Sequence, residues 1–157
     1  MTDFHLIWTS AGQTLKGYDQ AAGVWEDQPF SFGPLFAGSQ PDWKTFFVTT
    51  SCTVDRSDYY VSGLKLSVDA DADILKVLRD LAAAGFGLQV SFDEGQTCLF
   101  LADTPVPVTT AAFISNPGST ILRPYDSVRI QFRVSFPPDF SHTGKFTFRI
   151  AADFEVL

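Results

Sequence analysis

The run Asp69-Ala70-Asp71-Ala72-Asp73 sets three carboxylates at alternate positions, the spacing with which a calcium-binding loop opens. Such a loop also needs glycine at its sixth position and a bidentate acid at its twelfth. Here those positions are Ile74 and Asp80, inside a helical pattern, so the triplet reads as a helix start, where carboxylates satisfy free amides and favour the dipole. His5 and His142 are the only histidines. His142 has Asp139 and Ser141 close in sequence, the residue types of an acyl-transfer triad, but no Gly-x-Ser-x-Gly elbow accompanies them, and a solvated loop histidine is expected. Cys52 falls on the apolar parity of a strand and Cys98 is flanked by Leu99 and Phe100, which describes buried, inert thiols. Glu26, Asp27, Asp93 and Glu94 are acids of the kind glycosidases pair, yet all fall where turns are expected. Gly85-Phe86-Gly87 follows a helix instead of opening one, so it is no phosphate cradle. No catalytic, cofactor-binding or metal-ligating residue is assigned, and neither an enzyme activity nor a cofactor is expected.

Composition narrows the classes further. The chain has 157 residues, enough for one domain that buries roughly 70% of its unfolded surface without help from metal or disulfide. Sixteen Phe against a single Met favour a stiff, ring-filled core and strands over helices. A net charge of −7 argues against nucleic acid as a partner, because phosphate affinity comes mainly from basic side chains. The charge is uneven: residues 121–157 hold five basic and four acidic groups, while residues 1–120 hold six and fourteen. Met1-Thr2-Asp3-Phe4-His5 has no basic n-region leading into a long apolar stretch, and no run of about 18 apolar residues occurs. The expectation is therefore cytoplasmic synthesis, free thiols at Cys52 and Cys98, and no membrane partner.

The elements that must position any site follow from periodicity. Residues 1–45 carry all three Trp, five Gly and three Pro, and read as an aromatic N-terminal arm of short strands and ordered loops, held down by something such as a neighbouring subunit. Alternation predicts strands over 46–54 and 60–68, joined by a turn at Asp55-Arg56-Ser57-Asp58. In the second, Tyr60, Leu64, Leu66 and Val68 share the inward parity. Ile74, Leu75, Leu78, Leu81 and Ala82 recur at helical spacing and Gly85 ends them, which predicts one helix over about 70–84. Leu88, Val90 and Phe92 resume a period of two, and Asp93-Glu94-Gly95-Gln96 turns into a strand near 97–101. Residues 103–126 hold four prolines and read as a long irregular connection with one short strand around 111–114.

The chain ends on its most regular patterns. Over 128–136, Val128, Ile130, Phe132, Val134 and Phe136 alternate with Arg129, Gln131, Arg133 and Ser135. Over 146–156, Phe146, Phe148, Ile150, Ala152, Phe154 and Val156 alternate with polar residues that include Lys145, Arg149, Asp153 and Glu155. An eleven-residue strand would run roughly 36 Å, about twice the usual length. If the two strands pair as neighbours, Arg129, Arg133, Lys145 and Arg149 form one basic stripe on an acidic protein, suited to docking the acidic part of another copy. Trp8, Trp25 and Trp43 are the aromatic candidates for interface contacts.

These readings describe a mainly β single domain spanning 1–157, a β-sandwich or small β-barrel with one α-helix packed on it. The order of strand, helix, hairpin and late long strands resembles, in architecture alone, the phage tail-tube subunits, a barrel with a helix on its flank. The function expected is a non-enzymatic structural subunit of a repeated assembly, of the capsid decoration or cement kind or the tail-tube kind in a phage or virus particle. Its partners would be copies of itself or other structural proteins. The alternative is a carbohydrate- or ligand-binding β-sandwich module using the Trp and Tyr side chains of the arm.

Overall fold

A computed structural model describes residues 4–11, 13–19, 24–27, 30–32, 34–39, 41–52, 60–141 and 146–156; for 4–5, 13–14, 16–19, 24–27 and 51–52 the backbone alone is described. Ten strands and one α-helix alternate along it: β1 (Phe4–Ser10), β2 (Gln13–Asp19), β3 (Val24–Asp27), β4 (Lys44–Cys52), β5 (Val61–Asp69), α1 (Ala72–Ala83), β6 (Gly87–Ser91), β7 (Leu99–Phe100), β8 (Val106–Pro107), β9 (Val128–Ser135) and β10 (Arg149–Val156). They form two antiparallel sheets, one of seven strands in the order β3-β2-β1-β4-β9-β6-β7 and one of three in the order β10-β5-β8. The fold is mainly β with one helix, and among the described residues neither sheet closes into a barrel.

Alternation builds both sheets. On β9, Val128, Ile130, Phe132 and Val134 are buried while Arg129, Gln131 and Arg133 are half-exposed. Leu88 and Val90 of β6 and Phe46 and Val48 of β4 extend this apolar face, and Leu64, Leu66 and Val68 of β5 answer it from the other sheet. Together they make one core, the arrangement of two sheets joined through their inner faces. Aromatic side chains stiffen its flank: Phe30, from the arm, meets Phe46 edge to face at 4.8 Å, and Phe46 meets Phe132 at 5.3 Å in the same way.

The N-terminal arm is held by its own sheet. β1 pairs with β4 from Phe4 opposite Cys52 to Thr9 opposite Phe47, so the six-pair ladder supplies the anchor for which a neighbouring subunit was expected. Backbone amides that would otherwise be orphaned at the edge of β4 are satisfied within the chain.

The helix lies within its expected span. Asp71 occupies the N-cap position without making a side-chain capping bond, and Asp73 sits in the first turn. At the other end Gly85 adopts φ +87°, its N–H bonds the Ala82 carbonyl at 3.1 Å, and the Phe86 N–H bonds the Leu81 carbonyl at 2.8 Å. These two bonds are the Schellman closure that glycine permits. Leu78 and Leu81 carry the helix into the core.

Four expectations change. β9 and β10 do not form a hairpin, since β9 runs between β4 and β6 while β10 pairs with β5 in the other sheet. β10 is eight residues long, not eleven, and Phe148 lies just before it, half-buried. The strand expected near 111–114 is a 3-10 turn, Thr110–Ala112, closed by the Ala112 N–H on the Thr109 carbonyl. On β5 the parity breaks: Val61 is fully buried and Tyr60 is exposed. The cause is a bulge, because Asp153 faces Lys65 whereas Glu155 faces Ser62, which leaves β5 one residue longer than β10 across the same span. Gly63 sits in that bulge at φ +66°, a left-handed conformation that costs a residue with a Cβ about 1 to 2 kcal/mol. The turn expected at 55–58 lies outside the described residues.

Gly63 has open space where a Cβ would go, so only its backbone conformation is at stake. Gly63→Ala should therefore lower stability by about 1 kcal/mol in urea titration, with the far-ultraviolet spectrum unchanged.

Candidate interaction surfaces

Three of the expected contact residues, Arg129, Arg133 and Trp43, belong to the outward row of β9 or lie beside it. Register sets Arg133 opposite Gln89 and Gln131 opposite Ser91 on β6, and Gln131 opposite Thr45 on β4. Arg133 makes two contacts within its own chain. Its Nε donates to Gln89 Oε1 at 2.5 Å, and its guanidinium carbon stands 4.2 Å from the centre of the Trp43 ring, a cation–π stack. Gln89 itself is buried, with its amide nitrogen donating to the Gly85 carbonyl at 3.5 Å. Arg129 bonds Glu94 at 2.8 Å. Gln131 donates to Thr45 Oγ1 at 3.1 Å, while its Oε1 and the hydroxyl of Ser135 are buried without a hydrogen-bond partner.

The turn after β6 covers part of this row. Ser91 donates to Asp93 Oδ1 at 2.9 Å and accepts the Gly95 N–H at 2.8 Å; Asp93 Oδ1 also accepts the Thr97 N–H at 2.7 Å. The bond from the Thr97 backbone, above all, holds the Asp93 carboxyl below the usual carboxylate range. Gly95 then lies so close to Trp43 that an added Cβ would stand 2.9 Å from the indole nitrogen. Cys98 follows, a half-buried free thiol whose pKa burial pushes up while Arg133 pulls partly the other way.

Thus the structure brings Arg133 and Trp43 together and places Arg129 on the same row, but both arginines already have partners. Trp8 turns inward and packs on the core, 6.5 Å from the Phe132 ring. Trp25 lies in β3, where only the backbone is described; Lys145 and His142 are outside the described residues. Arg149 is on the other sheet and is exposed. Of the basic stripe expected from the sequence, Arg129 and Arg133 therefore lie on the seven-stranded sheet and Arg149 on the three-stranded one, so these three do not share one face. Asp69, Asp71 and Asp73 separate into strand end, N-cap and first helical turn, and among the described residues no group of three or more His, Cys, Asp or Glu is placed to hold a metal ion.

What remains is the second sheet. Its outer face carries Lys65 and Asp69 on β5 and Arg149 and Asp153 on β10, all exposed, with Arg149 opposite Asp69 and Asp153 opposite Lys65. Among the described residues none of these four makes an ion pair within 4 Å. An open depression of about 510 Å³ lies beside Arg149, lined by Asp69, Ala70, Asp71, Ile74, Thr147 and Phe148. Among the described residues β10 has one neighbour, β5, and forms the sheet edge. Sequence reasoning missed this edge because pairing partners are not written in a strand's own pattern. It also missed Gln89, whose only signal was a polar residue inside an apolar run.

Compared with protein-family models, with curated proteins and with solved structures, the chain matches none. No helix among the described residues is long and apolar enough to cross a membrane.

Arg133→Met would leave Gln89 Oε1 buried without its donor, and should cost about 1 to 3 kcal/mol in denaturant unfolding. In a Cys52→Ser chain, Cys98 should alkylate slowly at pH 7.5 and faster as pH rises, because its thiolate forms above the usual cysteine range; rapid labelling at neutral pH would contradict the burial.

Proposed function

We propose that this chain is a non-enzymatic structural subunit of a repeated protein assembly, whose partners are copies of itself or other structural proteins. The setting that fits best is a phage or virus particle, in a decoration, cement or tail-tube role, with synthesis in the cytoplasm. The observation that carries this reading is the open edge at β10. It is eight residues long and free of proline, and the bulge in its pairing with β5 lies on the β5 side. An edge of that kind exposes a row of backbone donors and acceptors and is a ready template for another chain.

The other edges differ. β7 and β8 are two residues each, and β8 contains Pro107, which removes a donor. β3 has four residues. Short or proline-bearing edges are how β proteins avoid association, so the contrast with β10 is informative.

The carbohydrate reading has less support. It needs a platform of free aromatic faces, but Trp8 packs on the core and one face of Trp43 is taken by Arg133.

The purified chain should self-associate, with a sedimentation coefficient that rises with protein concentration and falls with added salt. A strictly monomeric particle at low salt and high concentration, with no structural partner recovered from its source and no capsid or tail reading frames beside its own, would remove the proposal.

A further inference from the structure

The pattern of charge along β10 says more than that the edge is open. Residues 149, 151, 153 and 155 share the outer face: Arg149, Ala151, Asp153 and Glu155. The cation is at the start of the strand and the carboxylates are at its end. A parallel neighbour of the same sequence would set Arg149 against the same residue of the other copy, whereas an antiparallel neighbour would set it against a carboxylate. Resting on the assembly reading above, we propose that β10 pairs antiparallel with β10 of a second copy, about a two-fold axis at Ala151.

In that register Arg149 lies opposite the partner's Asp153, and the reverse pair repeats across the axis. Residues of the same parity meet, as an antiparallel ladder requires. The intramolecular register then completes a row of alternating sign across four strands. Asp69 lies opposite Arg149 within one chain. Arg149 lies opposite the partner's Asp153, and that residue opposite the partner's Lys65. Opposite charges directly across a ladder attract and like charges repel, so the row favours this direction and register. None of Lys65, Asp69, Arg149 and Asp153 is committed to an ion pair within the described part of its own chain, whereas Arg129 pairs with Glu94 and Arg133 is held by Gln89 and the Trp43 ring.

The centre of the proposed contact is also sterically suited. Ala151 would face its own counterpart, and Ile150 would face the partner's Ala152, so no large side chain opposes another there. On the inner face Ile150 and Ala152 already pack against the core. The two three-stranded sheets would become one of six strands, and an edge whose amides and carbonyls face water would be covered. Such an isologous contact is the commonest closed symmetry. One strand pair buries less than the roughly 1,200 Å² of a stable free-standing interface, so the dimer should form at high concentration or inside the assembly, where further contacts add to it.

The test is a charge swap on the full chain, read by sedimentation equilibrium, with circular dichroism confirming the fold of each variant. Arg149→Asp and Asp153→Arg should each weaken dimerisation about tenfold or more, since both symmetry-related pairs are lost at once. Because Arg149 faces Asp69 and Asp153 faces Lys65 within each chain, the rescue reverses the whole row: the quadruple variant K65D/D69K/R149D/D153R restores alternating sign and should return to within about threefold of the parent. In a Cys52→Ser, Cys98→Ser background, Ala151→Cys should give a disulfide-linked dimer on mild oxidation, because its Cβ lies at the axis. A chain that associates equally well in all four forms, or a quadruple variant that stays as weak as the singles, overturns the β10 pairing and leaves the assembly reading standing. A chain that is monomeric in every form at low salt and high concentration, with no structural partner recovered from its source and no capsid or tail reading frames beside its own, removes both.

Discussion

The rest of this structure depends on one row of side chains, Val128, Ile130, Phe132 and Val134, facing inward from β9. Three of the four are no more than 2% exposed, and Val134 is 6% exposed. Full burial of such a side chain contributes about 1.5 to 3 kcal/mol, so the row is a large fraction of what a domain of this size retains after its entropy cost. Because β9 lies between β4 and β6, the row also sets the register of both neighbours. A slip of one residue would turn Arg129, Gln131 and Arg133 into the core. Everything else in the seven-stranded sheet is aligned by that penalty.

The opposite face of the same strand bears a different constraint. Its polar residues are crowded under Trp43 and the 93–97 turn, so they have to find partners inside the chain. Arg133 does so twice, through Gln89 and through the Trp43 ring, and Arg129 does so through Glu94. Arginines on an acidic protein suggest a docking surface; these two are half-buried and engaged within the chain. Arg149, by contrast, is exposed and makes no ion pair among the described residues.

Association, on the reading advanced above, belongs to the smaller sheet. Among the described residues its three strands leave β10 with a neighbour on one side, and its charges are arranged in a way that distinguishes antiparallel from parallel company. The helix α1 and the bulge at Gly63 serve this indirectly. The first connects β5 to β6 along the chain and buries Leu78 and Leu81 in the core, and the second keeps the longer path of β5 aligned against a regular β10. Strain is thus placed at a glycine, where it is cheapest, and the edge strand is left straight.

The helix between Ala72 and Ala83, its glycine stop, the inward parity of β4, β6 and β9, and the mainly β class were legible from the amino-acid sequence, because each depends on residues within one or two turns or strand repeats of one another. The parity of β5 was not, since a single glycine at φ +66° moved Val61 into the place that simple alternation assigned to Tyr60. Nor could the pattern say that β9 and β10, adjacent in the chain and alike in period, would enter different sheets. Alternation records which face of a strand is apolar; it does not record which strand lies beside it. That choice is made by long-range packing, and it decided which arginines were spent and which edge stayed open.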